Sequence, residues 1–289
     1  MKSHPECGVC LVHWVYERAA AHTAPEDASA LTRRIVGILL KETTPTANVG
    51  ALCNSTVWAA LETTPALAKH YEQLKAESNE HARHLLPEAA THILNADTAR
   101  AAFERACFLA AAANVSPLNA PSGAYTFSEM RSLMTEKSPA PIVVGDAYGA
   151  VKAASRVLYV TDNAGEIGFD SLVLTQLKAM GKYVTLVVKT KTFFEDATIS
   201  DALFFGLNGL VDEIVATSGF LAPGNLEPPV ERALAESDLV LAKGTGSYEA
   251  LKGELGRKPA IFMLKVKCPA IARETGLGTG TTIVLLEGT

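Results

Sequence analysis

Long apolar runs are missing from this chain of 289 residues. The longest one, residues 106–113, is far shorter than the ~20 residues of a membrane-spanning helix and is typical of a buried helix. The first residues contain no apolar segment like that of a signal peptide, so we expect a cytoplasmic protein without a membrane partner. An excess of basic residues is missing as well: the net charge is −5, which argues against a nucleic-acid partner.

Cysteine is scarce, with five residues in the whole chain. In a cytoplasmic-looking sequence this number favours free thiols or a metal site over a disulfide framework. Cys7 and Cys10 form a C-x-x-C pair flanked by His4 and His13, and in a helix these side chains share one face. A structural zinc ion there would need a distant ligand such as Cys268, because one straight helix cannot surround the ion. We favour the alternative, in which the pair packs in the core of the first helix.

Helical patterning fills the first part of the chain, and strands alternate with helices in the second. We expect helices at 6–22, 26–41, 46–60, 65–84, 85–95 and 97–114. We expect strands at 156–161, 183–189, 212–216, 238–242 and 259–266, with helices between them. This alternation indicates a parallel sheet covered on both faces. The sequence therefore predicts an α/β protein: a helical N-terminal domain (1–140) packed on a Rossmann-like three-layer α/β/α domain (141–289) with a mainly parallel sheet.

Polar residues follow the first of these strands at once, in the order Asp162-Asn163-Ala164-Gly165-Glu166. Ligands of parallel sheets bind beyond the carboxyl ends of the strands. Asp162 and Asn163 offer the hard oxygen ligands that Mg²⁺ or Mn²⁺ prefers, and Gly165 allows an anion to approach a helix N-terminus. A metal and an anion at one strand end predict chemistry on a phosphorylated compound. The alternative is a polar turn that only caps the next helix.

Two further strand ends add to this pattern. The second strand ends at Lys189, and Asp196 follows it, where its carboxylate supplies a third oxygen to the predicted metal. The alternative for this segment is a capping box made by Thr198 and Asp201.

The fourth predicted strand ends in Lys243-Gly244-x-Gly246, which resembles a phosphate cradle with a cation beside it. An ordinary strand–helix turn that needs glycine is the alternative. Five residues make up the predicted phosphate- or substrate-binding set: Gly165, Lys189, Gly244, Gly246 and Asn114.

Together, these motifs resemble the metal-dependent damage-control phosphatase family, also called domain of unknown function eighty-nine. The resemblance covers nearly the whole chain and rests on segments 162–166, 196–198, 243–249 and 267–269, with Cys7-x-x-Cys10 resembling the archaeal and bacterial branch. It implies an N-terminal helical bundle on a Rossmann-like domain, and hydrolysis of phosphate monoesters with Mn²⁺, Co²⁺, Ni²⁺ or Mg²⁺.

The resemblance also implies roles for individual residues. Asp162, Asn163 and Asp196 match the metal-binding positions of the family, Lys243 matches its phosphate-contacting lysine, and Glu166 lies in its signature. We therefore predict a catalytic set of Asp162, Asn163, Glu166 and Lys243. Two positions depart from the family pattern: Pro117 stands where we expect an acid, and Ser247 where asparagine is frequent.

The expected substrate is a small phosphorylated metabolite, either a sugar phosphate or a phosphorylated cofactor precursor, attacked by water at a metal-polarised phosphoryl group. Asp162 acting as nucleophile is an alternative, disfavoured because Ala164 removes the D-x-D pattern of such enzymes. An S-adenosylmethionine-dependent methyltransferase and a non-catalytic metal-binding module built on Cys7 and Cys10 are the competing functions. The first strand lacks the glycine-rich turns expected of a methyltransferase or of a dinucleotide oxidoreductase.

Overall fold

The computed structural model describes residues 1–20, 22–114, 128–134, 142–224 and 226–288. Its helices are α1 (Cys7–Ala20), α2 (Pro25–Glu42), α3 (Val49–Thr63), α4 (Ala66–Leu94), α5 (Ala99–Ala112), α6 (Ser128–Leu133), α7 (Ala147–Ala153), α8 (Glu166–Ala179), α9 (Ile199–Phe204), α10 (Pro228–Glu236), α11 (Gly244–Leu251) and α12 (Pro269–Thr275). Its strands are β1 (Val143–Val144), β2 (Arg156–Val160), β3 (Tyr183–Lys189), β4 (Glu213–Thr217), β5 (Leu239–Lys243), β6 (Ala260–Lys265) and β7 (Thr282–Glu287).

The strands form one sheet in the order β1-β7-β6-β5-β2-β3-β4. The five strands β2 to β6 are mutually parallel, whereas β7 runs antiparallel to β6 and β1 runs parallel to β7. The predicted α/β class, the mainly parallel sheet and the five predicted strands are confirmed. Two strands are not predicted from the sequence: β1, which has only two residues, and β7, which runs antiparallel to β6.

Side chains of each strand alternate between two hydrophobic cores, one on each face of the sheet. In β2, Leu158 and Val160 belong to the first core, while Val157 and Tyr159 belong to the second. The first core is covered by α1 to α3 and α10 to α12, and the second by α5, α7 and α8. The helices α1 to α5 thus pack, between them, in the same two cores as the strands of the sheet. The division into two domains at residue 140 stays a prediction.

The longest helix, α4, has 29 residues and supplies apolar side chains to both cores. The prediction of two helices at 65–84 and 85–95 is wrong. Pro87 lies inside one continuous helix, because Leu85, Ala89 and Ile93 extend the buried face past the proline. In the part of the chain that the structure describes, none of the helices combines the length and apolar character needed to cross a membrane.

The order of the strands creates a crevice beside β2. From β2 the chain continues to β3 and β4 on one side, and then returns to β5 on the other side. Such a reversal point is where open α/β sheets bind ligands. The segments that leave β2 and β5 meet at this crevice, and both carry residues of the predicted site.

Candidate active site

Backbone pairing brings the segments after β2 and β3 together. The N–H of Ala164 donates to the carbonyl of Glu195 at 2.9 Å, and the N–H of Ala197 donates to the carbonyl of Asp162 at 2.7 Å. Asn163 and Asp196 form an isolated bridge between these segments. Asp162, Asn163 and Asp196, which come from separate strand ends, are therefore neighbours.

These three residues line a cavity of about 660 Å³, called the cleft below. Its other walls come from α1, from the first turns of α11 and from residues at or after the ends of β3, β4 and β6. They include Cys10, His13, Trp14, Glu17, Arg18, Glu195, Phe220, Thr245, Gly246, Glu249, Lys265, Lys267 and Cys268. A larger cavity of about 850 Å³ lies between α4 and α9, but none of Asp162, Asn163 and Asp196 lines it. The cleft is therefore the candidate active site.

Two amides hold the carboxylates of Asp162 and Glu166. Nδ2 of Asn114 donates to Oδ2 of Asp162 at 2.5 Å and to Oε2 of Glu166 at 2.9 Å. Nδ2 of Asn163 donates to the same two oxygens at 3.0 and 3.1 Å. Asn114, at the end of α5, is thereby placed beside the predicted site. Pro117, the departure that follows it, lies outside the described residues.

The carboxyl groups of Asp162 and Asp196 lie where burial and nearby carboxylates disfavour their negative charge. Burial raises the pKa of Asp162 well above its usual range, and the charges of Glu166 and Asp196 add to this effect. Burial also raises the pKa of Asp196 to about 6, although Lys189 opposes the shift through an ion pair of 3.1 Å. A bound cation would relieve this repulsion.

Lys243 lies behind the cleft instead of in its wall. Its side chain is fully buried and forms ion pairs with Glu166 and, at 3.0 Å, with Asp170. Tyr159 donates a hydrogen bond of 2.8 Å to the same oxygen of Asp170. Burial alone would lower the pKa of Lys243, but the two carboxylates outweigh it and raise the pKa. Lys243 and Glu166, both predicted to be catalytic, are thus partners of each other beneath Asp162.

The two glycines after β5 allow close packing at the start of α11. Gly244 has a φ of +79°, and a Cβ there would lie 1.9 Å from Oδ2 of Asp162. A Cβ on Gly246 would lie 2.3 Å from the ring of Phe220. The helix begins at Gly244, directly after β5, so both glycines lie in its first turn. Ser247, the second departure from the family pattern, is buried within α11.

Gly165 and Lys189 have partners inside the protein. Gly165 has a φ of +74°, and its N–H donates to Oδ1 of Asn79 at 2.7 Å. Lys189 is buried against Asp196, as described above, and its ammonium group lies 4.8 Å from the ring centre of Phe220. Neither residue is among those that line the cleft in the described part of the chain.

The sequence analysis missed two buried polar residues of α4. Nζ of Lys75 lies 2.8 Å from Oδ2 of Asp201, and Nδ2 of Asn79 donates to Oδ1 of Asp201 at 2.7 Å. Asp201 in turn forms the capping box with Thr198 at the start of α9. The capping box, which is the alternative interpretation of this segment, therefore exists beside Asp196. The spacing of Lys75 and Asn79, four residues apart on an otherwise buried face, is the signal in the sequence.

The cysteines are all unpaired. Cys7 is buried, and its sulfur accepts the N–H of His4 at 3.3 Å. Cys10 is exposed and lines the cleft, so the prediction that it packs in the core is wrong. Among the described residues, no group of three or more His, Cys, Asp or Glu side chains is placed to hold a metal ion. The Asp162–Asn163–Asp196 set is of a different kind, because one of its donors is an amide.

Comparison with known proteins gives the family. Residues 3–283 match the damage-control phosphatase ARMT1-like domain. A damage-control phosphatase of Archaeoglobus fulgidus is 30% identical over 98% of both chains. One of Pyrococcus horikoshii is 30% identical over 48% of this chain and 50% of its own. The solved structure of a DUF89 family protein from Pyrococcus horikoshii has the same fold, with a TM-score of 0.79 over 100% of both chains at 24% identity. The chain with this cleft therefore belongs to the damage-control phosphatase ARMT1-like family.

Proposed function

We propose that this protein is a divalent-metal-dependent phosphatase that hydrolyses phosphate monoesters of small metabolites, such as sugar phosphates or phosphorylated cofactor precursors. The observation that carries the proposal is the meeting of Asp162, Asn163 and Asp196 at the wall of one cleft. The relatives from Archaeoglobus fulgidus and Pyrococcus horikoshii, both named damage-control phosphatases, support the phosphatase part.

The donor set suits a hard divalent cation. Two carboxylates and an amide offer only oxygen ligands toward the cleft, and oxygen ligands favour Mg²⁺ and Mn²⁺. The raised pKa values of Asp162 and Asp196 point the same way, because burial and neighbouring carboxylates disfavour their negative charges and a bound cation offsets both effects. Asp162, Asn163 and Asp196 are therefore the proposed ligands of Mn²⁺, Co²⁺, Ni²⁺ or Mg²⁺. The bound ion supplies Lewis-acid polarisation of the phosphoryl group.

The chain itself contributes two phosphate-binding elements. Thr245 and Gly246 lie in the first turn of α11 and line the cleft, and the N–H groups of a first helical turn have no partner within the helix. Lys267 also lines the cleft, and its positive charge acts on the pKa of Asp162. These groups bind the phosphate oxygens and stabilise the charge that develops on them.

The residues beneath the cleft orient the proposed metal ligands. Asn114 and Asn163 fix the Asp162 carboxylate through hydrogen bonds, and Lys243 neutralises Glu166 and Asp170 behind it. In this account Lys243 is a positioning residue, not a phosphate ligand. Partners of this kind matter because a metal ligand works only when its own orientation is fixed.

A phosphate-release screen tests the proposal. The wild type and the variants Asp162→Asn and Asp196→Asn are assayed on sugar phosphates and phosphorylated cofactor precursors, with each divalent ion and with a chelator. We expect metal-dependent release that each variant lowers by about 100-fold or more. The control is Asp27→Asn, an exposed position on α2, which should match the wild type. Phosphate release that survives in both variants, or that ignores the chelator, contradicts the proposal.

A further inference from the structure

Glu249 is a carboxyl group of the cleft that has no role in the site described so far. It lies on α11 and lines the cleft together with Gly246, three residues earlier on the same face of the helix. Gly244, which packs against Asp162, is five residues before it, or about 7.5 Å along the helix axis. Glu249 therefore lines the same cleft as the proposed metal ligands, one helical turn beyond the phosphate-binding turn of α11.

The other carboxyl groups of the cleft are already engaged. Glu17 pairs with His13 at 3.1 Å, and Glu195 pairs with Arg18 at 2.7 Å. Burial favours a protonated Glu195, but Arg18 outweighs it and lowers the pKa, so Glu195 stays ionised. Asp162 and Asp196 form the metal-ligand set. Within the described residues, the side chain of Glu249 has neither a hydrogen bond nor an ion pair, so its proton is free to be transferred.

The surroundings of Glu249 keep this proton on the carboxyl group near neutral pH. Burial raises its pKa to about 7, while the N-terminal ammonium group of Met1 and Lys267 act in the opposite direction. The remaining titratable groups that sense its charge are the thiols of Cys7 and Cys10 on α1, Cys53 on α3 and Cys268 before α12. Desolvation raises the pKa of all four, and together with the charge of Glu249 it raises that of Cys10, which is exposed in the cleft wall, to about 11, so they are poor proton donors at neutral pH.

We infer that Glu249 is the general acid that protonates the leaving alkoxide of the ester. This inference rests on the proposed phosphatase function. The oxygen of a water molecule forms a bond to phosphorus as the bond from phosphorus to the bridging oxygen breaks. The bridging oxygen takes the proton of Glu249 and leaves as an alcohol. The attacking water leaves as part of dihydrogen phosphate, which returns one proton to the Glu249 carboxylate and departs as hydrogen phosphate.

The dependence on the leaving group tests this role. An alkyl phosphate such as glycerol 2-phosphate needs a proton on its leaving oxygen, whereas 4-nitrophenyl phosphate releases a stabilised phenolate. We expect Glu249→Gln to lower kcat for the alkyl ester by about 100-fold more than kcat for the aryl ester. The fall of kcat for the alkyl ester at alkaline pH in the wild type should also disappear in the variant. Glu231→Gln, at an exposed position of α10, is the control and should retain both activities.

The outcomes separate the general-acid role of Glu249 from the phosphatase function. Equal losses on the two esters, or no loss on either, overturn the general-acid role while the phosphatase function stands. If the wild type releases phosphate neither from these esters nor from any metabolite of the phosphate-release screen with any divalent ion, the phosphatase function is contradicted and the role of Glu249 falls with it. A urea denaturation curve that shows Glu249→Gln folded like the wild type ensures that the loss reports on chemistry.

Discussion

Lys243 is fully buried behind the cleft, and this position differs from the one that its sequence context predicts. A lysine at the end of a buried strand, followed by two glycines, is typical of a phosphate contact. The structure instead places its ammonium group between the buried carboxylates of Glu166 and Asp170. Asp170 lies one helical turn after Glu166 on α8, so the two carboxylates face the same point. The charge of Lys243 thus neutralises two buried carboxylates and does not face the cleft.

Replacing Lys243 with Met should destabilise the fold strongly. The variant leaves two carboxylates buried without their cation, a change that costs about 3–5 kcal/mol when a buried pair is broken. Urea denaturation measures the free energy of unfolding. Lys41→Met, on an exposed part of α2, is the control and should change it by less than about 0.5 kcal/mol. A Lys243→Met variant as stable as the wild type would contradict the paired burial of these charges.

Gly244 is needed for two separate reasons, and both predict that alanine is not tolerated there. The backbone has a φ of +79°, and the added methyl group would collide with the Asp162 carboxylate. We expect Gly244→Ala to lower the free energy of unfolding by about 1–3 kcal/mol and to weaken Mn²⁺ binding, measured by calorimetry. Gly209→Ala is the matched control, because no atom lies within 4 Å of a Cβ at that position. Unchanged Mn²⁺ affinity in Gly244→Ala would argue against the placement of Asp162 as a ligand.

Residues that follow a strand could be predicted, and residues that support them from elsewhere could not. Asp162, Asn163 and Asp196 were expected together because parallel strands end at one edge of a sheet. The side chain of Asn79 accepts a hydrogen bond from the N–H of Gly165, although the two residues are 86 positions apart in the chain. The spacing of Lys75 and Asn79 indicates that both side chains face the interior, but nothing in the sequence indicates which distant segment they contact.

Among the elements, α4 links the fold to the site. Its first half packs in one core, its second half in the other, and Lys75 and Asn79 lie between them. These two residues bind the segment before α8 and the start of α9, which flank the proposed metal ligands. The proline in this helix led the sequence analysis to divide it, because the local effect of Pro87 is visible in the sequence and the packing that overrides it is not.

Asn79→Ala should loosen the site through this connection. The variant leaves the N–H of Gly165 and a carboxylate oxygen of Asp201 without their buried partner, which costs about 1–3 kcal/mol of stability. We also expect the affinity for Mn²⁺ to fall by about 10- to 100-fold, as it does when groups that orient metal ligands are lost. His81→Ala, on the exposed face of α4, is the control for both measurements. A stability loss without any change in Mn²⁺ affinity would confine the role of α4 to the fold.

At the scale of the whole molecule, the alternation of strands and helices was enough to predict the three layers. It did not predict β7, which follows β6 closely but runs antiparallel to it, or β1, which has only two residues and pairs with β7 near the other end of the chain. The position of the site follows from strand order, since the chain reverses beside β2 and leaves a crevice between the ends of β2 and β5. The burial of Lys243 behind the cleft and the contribution of α1 to the cleft wall could not be predicted from the sequence.

The proposed activity depends on a cation bound by Asp162, Asn163 and Asp196. The most direct measurement is anomalous diffraction from crystals of the protein grown with Mn²⁺, recorded at the manganese absorption edge. We predict one strong peak within bonding distance of oxygen atoms of all three side chains, roughly 2–2.6 Å. A peak at the thiols of Cys10 and Cys268, or a cleft without any peak at saturating Mn²⁺, would contradict the account.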